Sequence, residues 1–324
     1  MIIILEGSDG AGKTTLAARL KARMPDAIEL HSGPLRSDPF TEYEERLADW
    51  DGVTPIIADR WHIGELVYGP IFRGESKLDV VGRWHIDAFL VARGAMVVYL
   101  CPPLELIADR VAARGDDMVD VTHLPAIYDT YETAISSDVM PTMHVGCTDP
   151  ENCTGHDHKI PLVEEIVEDA YSRWLHTNHL RRFTTYIGSS APDYLILGER
   201  RNDPEAYHAA FVPTGATSGR FMLEHLLPVL GSETSIGIAN ACEEDVYELW
   251  CSLARPPIVA LGNAAYEAAC RSLHERGLTG RVPLGAVPHP QYIRRFHNKS
   301  GALYARTIIS ALNTGEDLRS WRPA

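Results

Sequence analysis

No apolar run in the 324 residues approaches the roughly 20 needed to cross a bilayer as a helix. The opening "MIIIL" is too short for a signal peptide and runs straight into a glycine loop, so it predicts a strand. With 45% hydrophobic and 23% charged residues, the composition is that of a soluble globular protein, expected in the cytoplasm. An excess of positive charge is missing too. Residues 1–176 carry 15 Lys and Arg against 30 Asp and Glu, a balance of −15, while 177–324 carry 15 against 14, or +1. The first half is therefore a poor grip for duplex DNA, and any nucleic-acid contact is expected in the second. Cysteine gives no disulfide frame: of Cys101, Cys147, Cys153, Cys242, Cys251 and Cys270, only Cys147 and Cys153 lie close together. Short-period repeats and low-complexity segments are absent.

What is present alternates strand with helix. "MIIILEG", "TPIIADR" and "GAMVVYLCP" are short runs rich in β-branched residues, as buried parallel strands require. "KTTLAARLKARM", "PPLELIADRVAARG", "LPAIYDTYETAISS" and "IPLVEEIVEDAYSRWLHT" predict amphipathic helices. A polar "TNHLRRFTTYIGSS" then interrupts the pattern, and a new set of strands follows: "DYLILGE", "SIGIANA", "PPIVALGN" and "VPLGAVPHP". The expected organisation is α/β twice over: a domain at 1–176 with a parallel sheet flanked by helices, a linker at 177–187, and a second α/β domain at 188–324.

The strongest motif is "GSDGAGKT", Gly7 to Thr14, which satisfies G-x-x-x-x-G-K-[ST] between a strand and a helix. Backbone N–H groups of Gly7, Ser8, Asp9, Gly10, Ala11 and Gly12 can curl round a phosphate at the positive end of the helix. Lys13 reaches the β- and γ-phosphates, Thr14 ligates Mg²⁺, and Thr15 completes the loop. ATP and Mg²⁺ are the expected cofactors.

The wider string "LEGSDGAGKTT" resembles the opening of thymidylate kinases, E-G-x-D-G-x-G-K-T-T, and "DRWHIGELVYG" resembles their D-R-[YW]-x-x-S-x-x-A-Y-Q. The resemblance covers about residues 1–175 and implies a P-loop nucleotide kinase. It implies that Asp9 faces the acceptor's deoxyribose, that Asp59 and Arg60 bind the acceptor with Arg60 on its phosphate, and that Tyr68 lies near the base. "DRVAARGDD" resembles the lid, with Arg110 and Arg114 closing over the transferred phosphoryl group. Lys13, Asp9, Arg60, Arg110 and Arg114 are thus the expected catalytic set. Departures concern the acceptor. The family's serine is Gly64 and its glutamine Gly69, Glu65 is added, and "LHSGPLR" replaces T-R-E-P-G, leaving Arg36 to supply that arginine. Two glycines suggest a pocket for a larger or more polar base, or else tight turns. The run "DRWHIGELVYGPIFRG" also looks like the compact kinases of bacteriophage genomes, many of them active in pyrimidine nucleotide supply or base modification. Thymidylate kinases are commonly dimers, so a homodimer is implied.

"HVGCTDPENCTGHDH" offers Cys147, Cys153, His156 and His158 as a structural Zn²⁺ clip, with His144 nearby. Five residues between the cysteines match no common finger, and a plain polar loop is the alternative.

The second half resembles the uracil-DNA glycosylase superfamily over about residues 186–312, through "LILGERRND", "FVPTGATSGRFMLEHLL", "IGIANA", "PPIVALGNAAYEAA" and "VPHPQ" in the family's order. Such a fold holds a flipped base. The resemblance implies a base site with Gly198 and Glu199 beside the sugar–base bond, Asn240 on the base edge and His289 on the pyrimidine oxygen. Arg294 and Arg295 would meet phosphate, and Tyr292 or Phe296 would wedge. Arg200, Arg201 and Asn202 replace the family's small residue, proline and glycine, Gln291 replaces its serine, and Cys242, Cys251 and Cys270 do not reproduce an iron–sulfur set. The expectation is a base-recognising domain contacting nucleotide or DNA. Three functions follow: a kinase of dTMP or a modified dUMP analogue, a kinase of hydroxymethylated pyrimidines within phage DNA, or a bifunctional protein with a working glycosylase.

Overall fold

The computed structural model describes residues 1–33, 39–114, 119–136, 139–146, 163–200, 217–231 and 233–323. The chain divides into two compact units, Met1–His176 and Thr177–Ala324.

In the first unit, β1 (Ile2–Glu6) runs into the glycine loop and α1 (Lys13–Arg23). There follow β2 (Ile28–His31), α2 (Pro39–Ala48), β3 (Ile56–Asp59), α3 (His62–Arg73), α4 (Val80–Val91), β4 (Ala95–Leu100), α5 (Leu104–Arg114), α6 (Leu124–Ser136), β5 (Thr142–Val145) and α7 (Val163–Asn178). The sheet has the order β2-β3-β1-β4-β5, and every pairing is parallel. β1 and β4 are buried at every position, which is why they read as unbroken apolar runs. β2 lies at the edge and is mostly exposed, so its "IELH" carries no such signature.

Strand order reverses direction at β1: from β1 the chain goes first to the edge strand β2, returns to place β3 between β2 and β1, then crosses to β4 on the other side. Such a switch point opens a crevice at the carboxyl ends of the strands, and the glycine loop fills it. Gly7, at φ 140°, passes so close to β4 that a Cβ there would stand 2.5 Å from the Leu100 carbonyl oxygen. On the other flank, α1 buries Lys13, Leu16, Ala17 and Leu20, an i, i+3, i+4, i+7 stripe that joins Ile3, Leu5 and Val98 in the core.

The second unit contains β6 (Tyr194–Gly198), α8 (Ser218–Leu230), β7 (Ile236–Asn240), α9 (Val246–Ser252), β8 (Ile258–Leu261), α10 (Asn263–His274), β9 (Leu284–Val287), α11 (Pro290–Phe296) and α12 (Gly301–Thr314). Its sheet is parallel with order β7-β6-β8-β9, again with a switch point, here between β6 and β8. The stretch 177–187, expected as a linker, is part of this unit's packing. Leu180, Phe183, Tyr186 and Ile187 are buried, and Ile187 exchanges backbone hydrogen bonds with Ile238 of β7. No helix among the described residues is long and apolar enough to cross a membrane.

Candidate functional site

The loop between β1 and α1 encloses a cavity of about 140 Å³ lined by Asp9, Gly10, Gly12, Lys13, Thr14, Thr15, His31, Asp59, Arg60 and Arg114. Lys13 is buried, and its Nζ folds back onto the carbonyl oxygens of Gly7 and Ser8 at 2.8 Å each. Burial, and behind it the nearby Arg60 guanidinium, pulls its pKa down to about 8. A loop that gathers its lysine in this way is ready to hand it to an anion. Asp59 lines the same cavity, and its buried Oδ1 has no hydrogen-bond partner among the described residues. Thr14 lines the cavity as well, and a hydroxyl with a carboxylate is the donor chemistry that suits Mg²⁺, which takes few protein ligands when phosphates supply the rest.

The two lid arginines divide. Arg114 lines the cavity. Arg110 instead donates from Nη1 to the carbonyl oxygen of Gly10 at 3.0 Å, so it braces the loop rather than facing the cavity.

A second cavity, about 310 Å³, adjoins the first and shares Asp9, His31 and Arg60 with it. Its other walls include Tyr43, Trp61, Gly64, Glu65, Tyr68, Phe72 and Arg73. Asp9, Arg60 and Tyr68, brought from 51 and 59 residues apart, form one cluster. The Arg60 guanidinium pairs with Asp9 Oδ1, the Tyr68 hydroxyl donates to Asp9 Oδ2 at 3.2 Å, and Arg60 lies 4.9 Å over the Tyr68 ring. Tyr68 also stacks on Phe72 at 6.0 Å. Asp59, expected beside the acceptor, faces the loop cavity instead and meets His31 Nδ1 at 3.5 Å. Arg36 lies outside the described residues.

Arg60 has φ 64°, a conformation a non-glycine residue rarely adopts. Glu6 helps to hold the turn around it. This carboxylate ends β1, is wholly buried, accepts the Trp61 N–H at 2.7 Å, and accepts the Tyr131 hydroxyl at 3.1 Å. Sequence reasoning did not place Glu6 in the site, although a lone carboxylate closing an otherwise apolar strand is a usable signal. Trp61 fills the [YW] position of the D-R-[YW] motif but was given no role, and Tyr43, Tyr131 and Arg73 had no such local mark.

The two glycines of α3 play different parts. Gly64 lines the second cavity, and a Cβ there would meet nothing nearer than 3.7 Å. Gly69 does not line it. A Cβ at Gly69 would stand 2.9 Å from Arg73 Nη2, 2.9 Å from the Glu75 carbonyl oxygen and 3.0 Å from Glu65 Oε1, so this glycine makes room for that ion pair and for the backbone beside it.

In the second unit, Gly198 and Asn240 end β6 and β7, Glu199 follows β6, and His289 follows β9. All four thus stand at the carboxyl edge of one parallel sheet. Asn240 is buried, its Nδ2 donates to Glu243 Oε2 at 2.9 Å, and its N–H donates to Thr185 Oγ1 at 3.0 Å. His289 caps α11 by accepting the Gln291 N–H on Nδ1 at 3.2 Å. Burial lowers its pKa, and the charge of Glu199 partly offsets this. Phe296 is exposed, whereas Tyr292 carries Arg322 at 4.6 Å over its ring. Arg201 and Asn202 lie outside the described residues, as do Cys147, Cys153, His156 and His158, the zinc set. No group of three or more His, Cys, Asp or Glu among the described residues could hold a metal ion.

No protein-family model matches the chain. The SPbeta prophage-derived uncharacterized protein YorR of Bacillus subtilis (strain 168) is 30% identical over 140 residues, which are 42% of this chain and 82% of that protein. Among solved structures, YorR from Bacillus subtilis in complex with phosphorylated GDP is similar at 25% identity and a TM-score of 0.41, over 55% of this chain and 98% of that one. The deoxyadenosine kinase of M. mycoides with products dCMP and a flexible dCDP is similar at 19% identity and a TM-score of 0.34, over 53% of this chain and the whole of that one. By its identity to YorR and its coverage of that relative, the chain belongs to the YorR family.

Proposed function

We propose that the first unit transfers the γ-phosphoryl group of ATP to the phosphate of a deoxynucleotide, a pyrimidine nucleotide by the thymidylate-kinase-like motifs. The observation that carries this reading is the pair of adjoining cavities. One is built on the phosphate loop, the other is walled by aromatic rings, and Asp9, His31 and Arg60 belong to both. Phosphoryl transfer needs donor and acceptor in line and positive charge between them more than it needs covalent chemistry. Lys13 and Arg114 bind the donor phosphates, Arg60 takes the acceptor phosphate at the junction, and Asp9 fixes both Arg60 and Tyr68. Thr14 and Asp59 would hold Mg²⁺, which when bound neutralises charge on the β- and γ-phosphates. Tyr43, Trp61, Tyr68 and Phe72 enclose the base.

The second unit is, in this reading, a base-recognition domain, supported by Glu199, Asn240 and His289 standing together at the carboxyl edge of its sheet. It makes the kinase of modified bases in DNA the competing acceptor. Radiolabelled γ-phosphate ATP with Mg²⁺, offered with free deoxynucleoside monophosphates and separately with DNA carrying thymine or hydroxymethyluracil, separates the two, with Lys13→Ala as the blank. Label on a free nucleotide supports the monophosphate kinase. Label on modified DNA alone overturns it, and label on neither overturns both. Base release from DNA that is lost in Glu199→Gln would make the second unit a glycosylase.

A further inference from the structure

The acceptor cavity holds a carboxylate that phosphoryl transfer does not use. α3 and its N-cap turn Trp61, Gly64, Glu65, Tyr68 and Phe72 toward the cavity at helical spacing, and four of these five offer rings or bare backbone. The fifth, Glu65, has a side chain only 5% exposed. Its Oε1 accepts from the Arg73 guanidinium and from the Lys77 N–H at 2.9 Å. Its Oε2 has no hydrogen bond among the described residues. The other carboxylate on this cavity, Asp9, has both oxygens engaged, by Arg60 and Tyr68. Glu65 therefore brings to the pocket a carboxylate oxygen, Oε2, that no described residue donates to, beside an arginine that uses one N–H and keeps further donors.

We propose that Glu65, held by Arg73, selects an acceptor nucleotide whose base carries an exocyclic amino group, and disfavours thymine and uracil. This rests on the reading of this cavity as the acceptor site and departs from the thymine-type base that the motif resemblance implies. An ionised carboxylate accepts and never donates. Cytosine and adenine offer it an amino group beside a ring-nitrogen acceptor, which Arg73 can serve. Guanine offers N1–H and an amino group together beside O6. Thymine has a single N3–H flanked on both sides by carbonyl oxygens, which repel the carboxylate. A hydrogen bond to a charged group, made by one base and replaced by repulsion for another, separates affinities by about 10- to 100-fold.

The local geometry fixes what Glu65→Gln must do. Arg73 and the Lys77 N–H both donate to Oε1, so the glutamine carbonyl oxygen takes that place and its NH₂ takes the place of Oε2. The group facing the base changes from acceptor to donor, and the preference reverses: thymine O4 is now matched and the cytosine amino group opposed.

Calorimetric titration of the full chain with dCMP, dGMP, dAMP and dTMP, without ATP, reads this directly. At least one amino-bearing nucleotide is expected to bind about 10-fold or more tighter than dTMP, and Glu65→Gln is expected to bring dTMP level with it or ahead. Equal or tighter binding of dTMP by the wild-type chain overturns the inference even if the variant fails to fold. So does an unchanged ratio in a folded variant. Binding of none of the four overturns the acceptor reading and the selectivity with it. Selective binding without label transfer in the kinase assay leaves the selectivity standing and removes only the phosphoryl transfer.

Discussion

Glu6→Ala is expected to destabilise the first unit by about 3 kcal/mol, and Glu6→Gln by about 1 kcal/mol or less. The carboxylate is fully buried, with the Trp61 N–H at 2.7 Å on one oxygen and the Tyr131 hydroxyl at 3.1 Å on the other. Alanine removes both acceptors and leaves two buried donors unpaired, at about 1–3 kcal/mol each, while relieving the cost of burying the charge. Glutamine keeps a carbonyl oxygen for Trp61 and an NH₂ that the Tyr131 oxygen can accept. At roughly 2–4 °C per kcal/mol for a unit of this size, alanine lowers the melting transition by about 6–12 °C. The pH dependence has a fixed sign. Burial, only partly offset by the Trp61 N–H, raises Glu6 above its ordinary 4.5. Its contribution is complete below the unfolded value and is lost as pH rises through the folded one, so Glu6→Gln gains on wild type as pH climbs from 4.5. Because Trp61 adjoins Arg60, alanine also weakens acceptor binding. Thermal unfolding of the three proteins across pH checks this, and equal losses for alanine and glutamine would refute the reasoning.

Three further outcomes are expected. Gly64→Ser is tolerated within about 0.5 kcal/mol, whereas Gly69→Ala crowds the Glu75 carbonyl oxygen as well as the Arg73–Glu65 pair and costs about 1–3 kcal/mol, measured by guanidinium unfolding. Lys13, with its pKa near 8, loses its proton in the ligand-free protein as pH rises through that value. ATP affinity therefore falls between pH 7 and 9, with proton uptake on binding near pH 8 seen by calorimetry in two buffers, and a flat profile would contradict the assignment. Tyr304→Phe strips the buried Pro288 carbonyl oxygen of the hydroxyl that donates to it at 2.6 Å, at about 1–2 kcal/mol. The loss loosens the turn that carries His289, and hydrogen exchange at the Gln291 amide should accelerate.

The sequence by itself determined the phosphate loop, the α/β character of both halves, the parallel sheet of the first and the change of pattern near residue 177. These are local properties: glycines where φ must be positive, apolar runs where a strand is covered on both faces, and a lysine and threonine at fixed offsets. Four second-unit strands read from "DYLILGE", "SIGIANA", "PPIVALGN" and "VPLGAVPHP" correspond to β6 through β9. The edge strand β2, exposed on most of its length, had no such mark. Tertiary structure alone decided which side chains meet. Asp9 and Arg60 are 51 residues apart, Glu6 and Tyr131 are 125 apart, and Arg110 reaches Gly10 across 100. The resemblance to thymidylate kinases implied Asp59 with the acceptor and Arg110 over the phosphoryl group, whereas packing turned Asp59 to the loop cavity and tied Arg110 to the loop's backbone. Gly69 read as room for a base or as a tight turn, whereas a Cβ there would crowd the Arg73–Glu65 pair and the Glu75 carbonyl oxygen. A spacing along the chain fixes which residues a helix or strand presents on one face. What each face then meets depends on strand order and crossover, and those belong to the folded sheet.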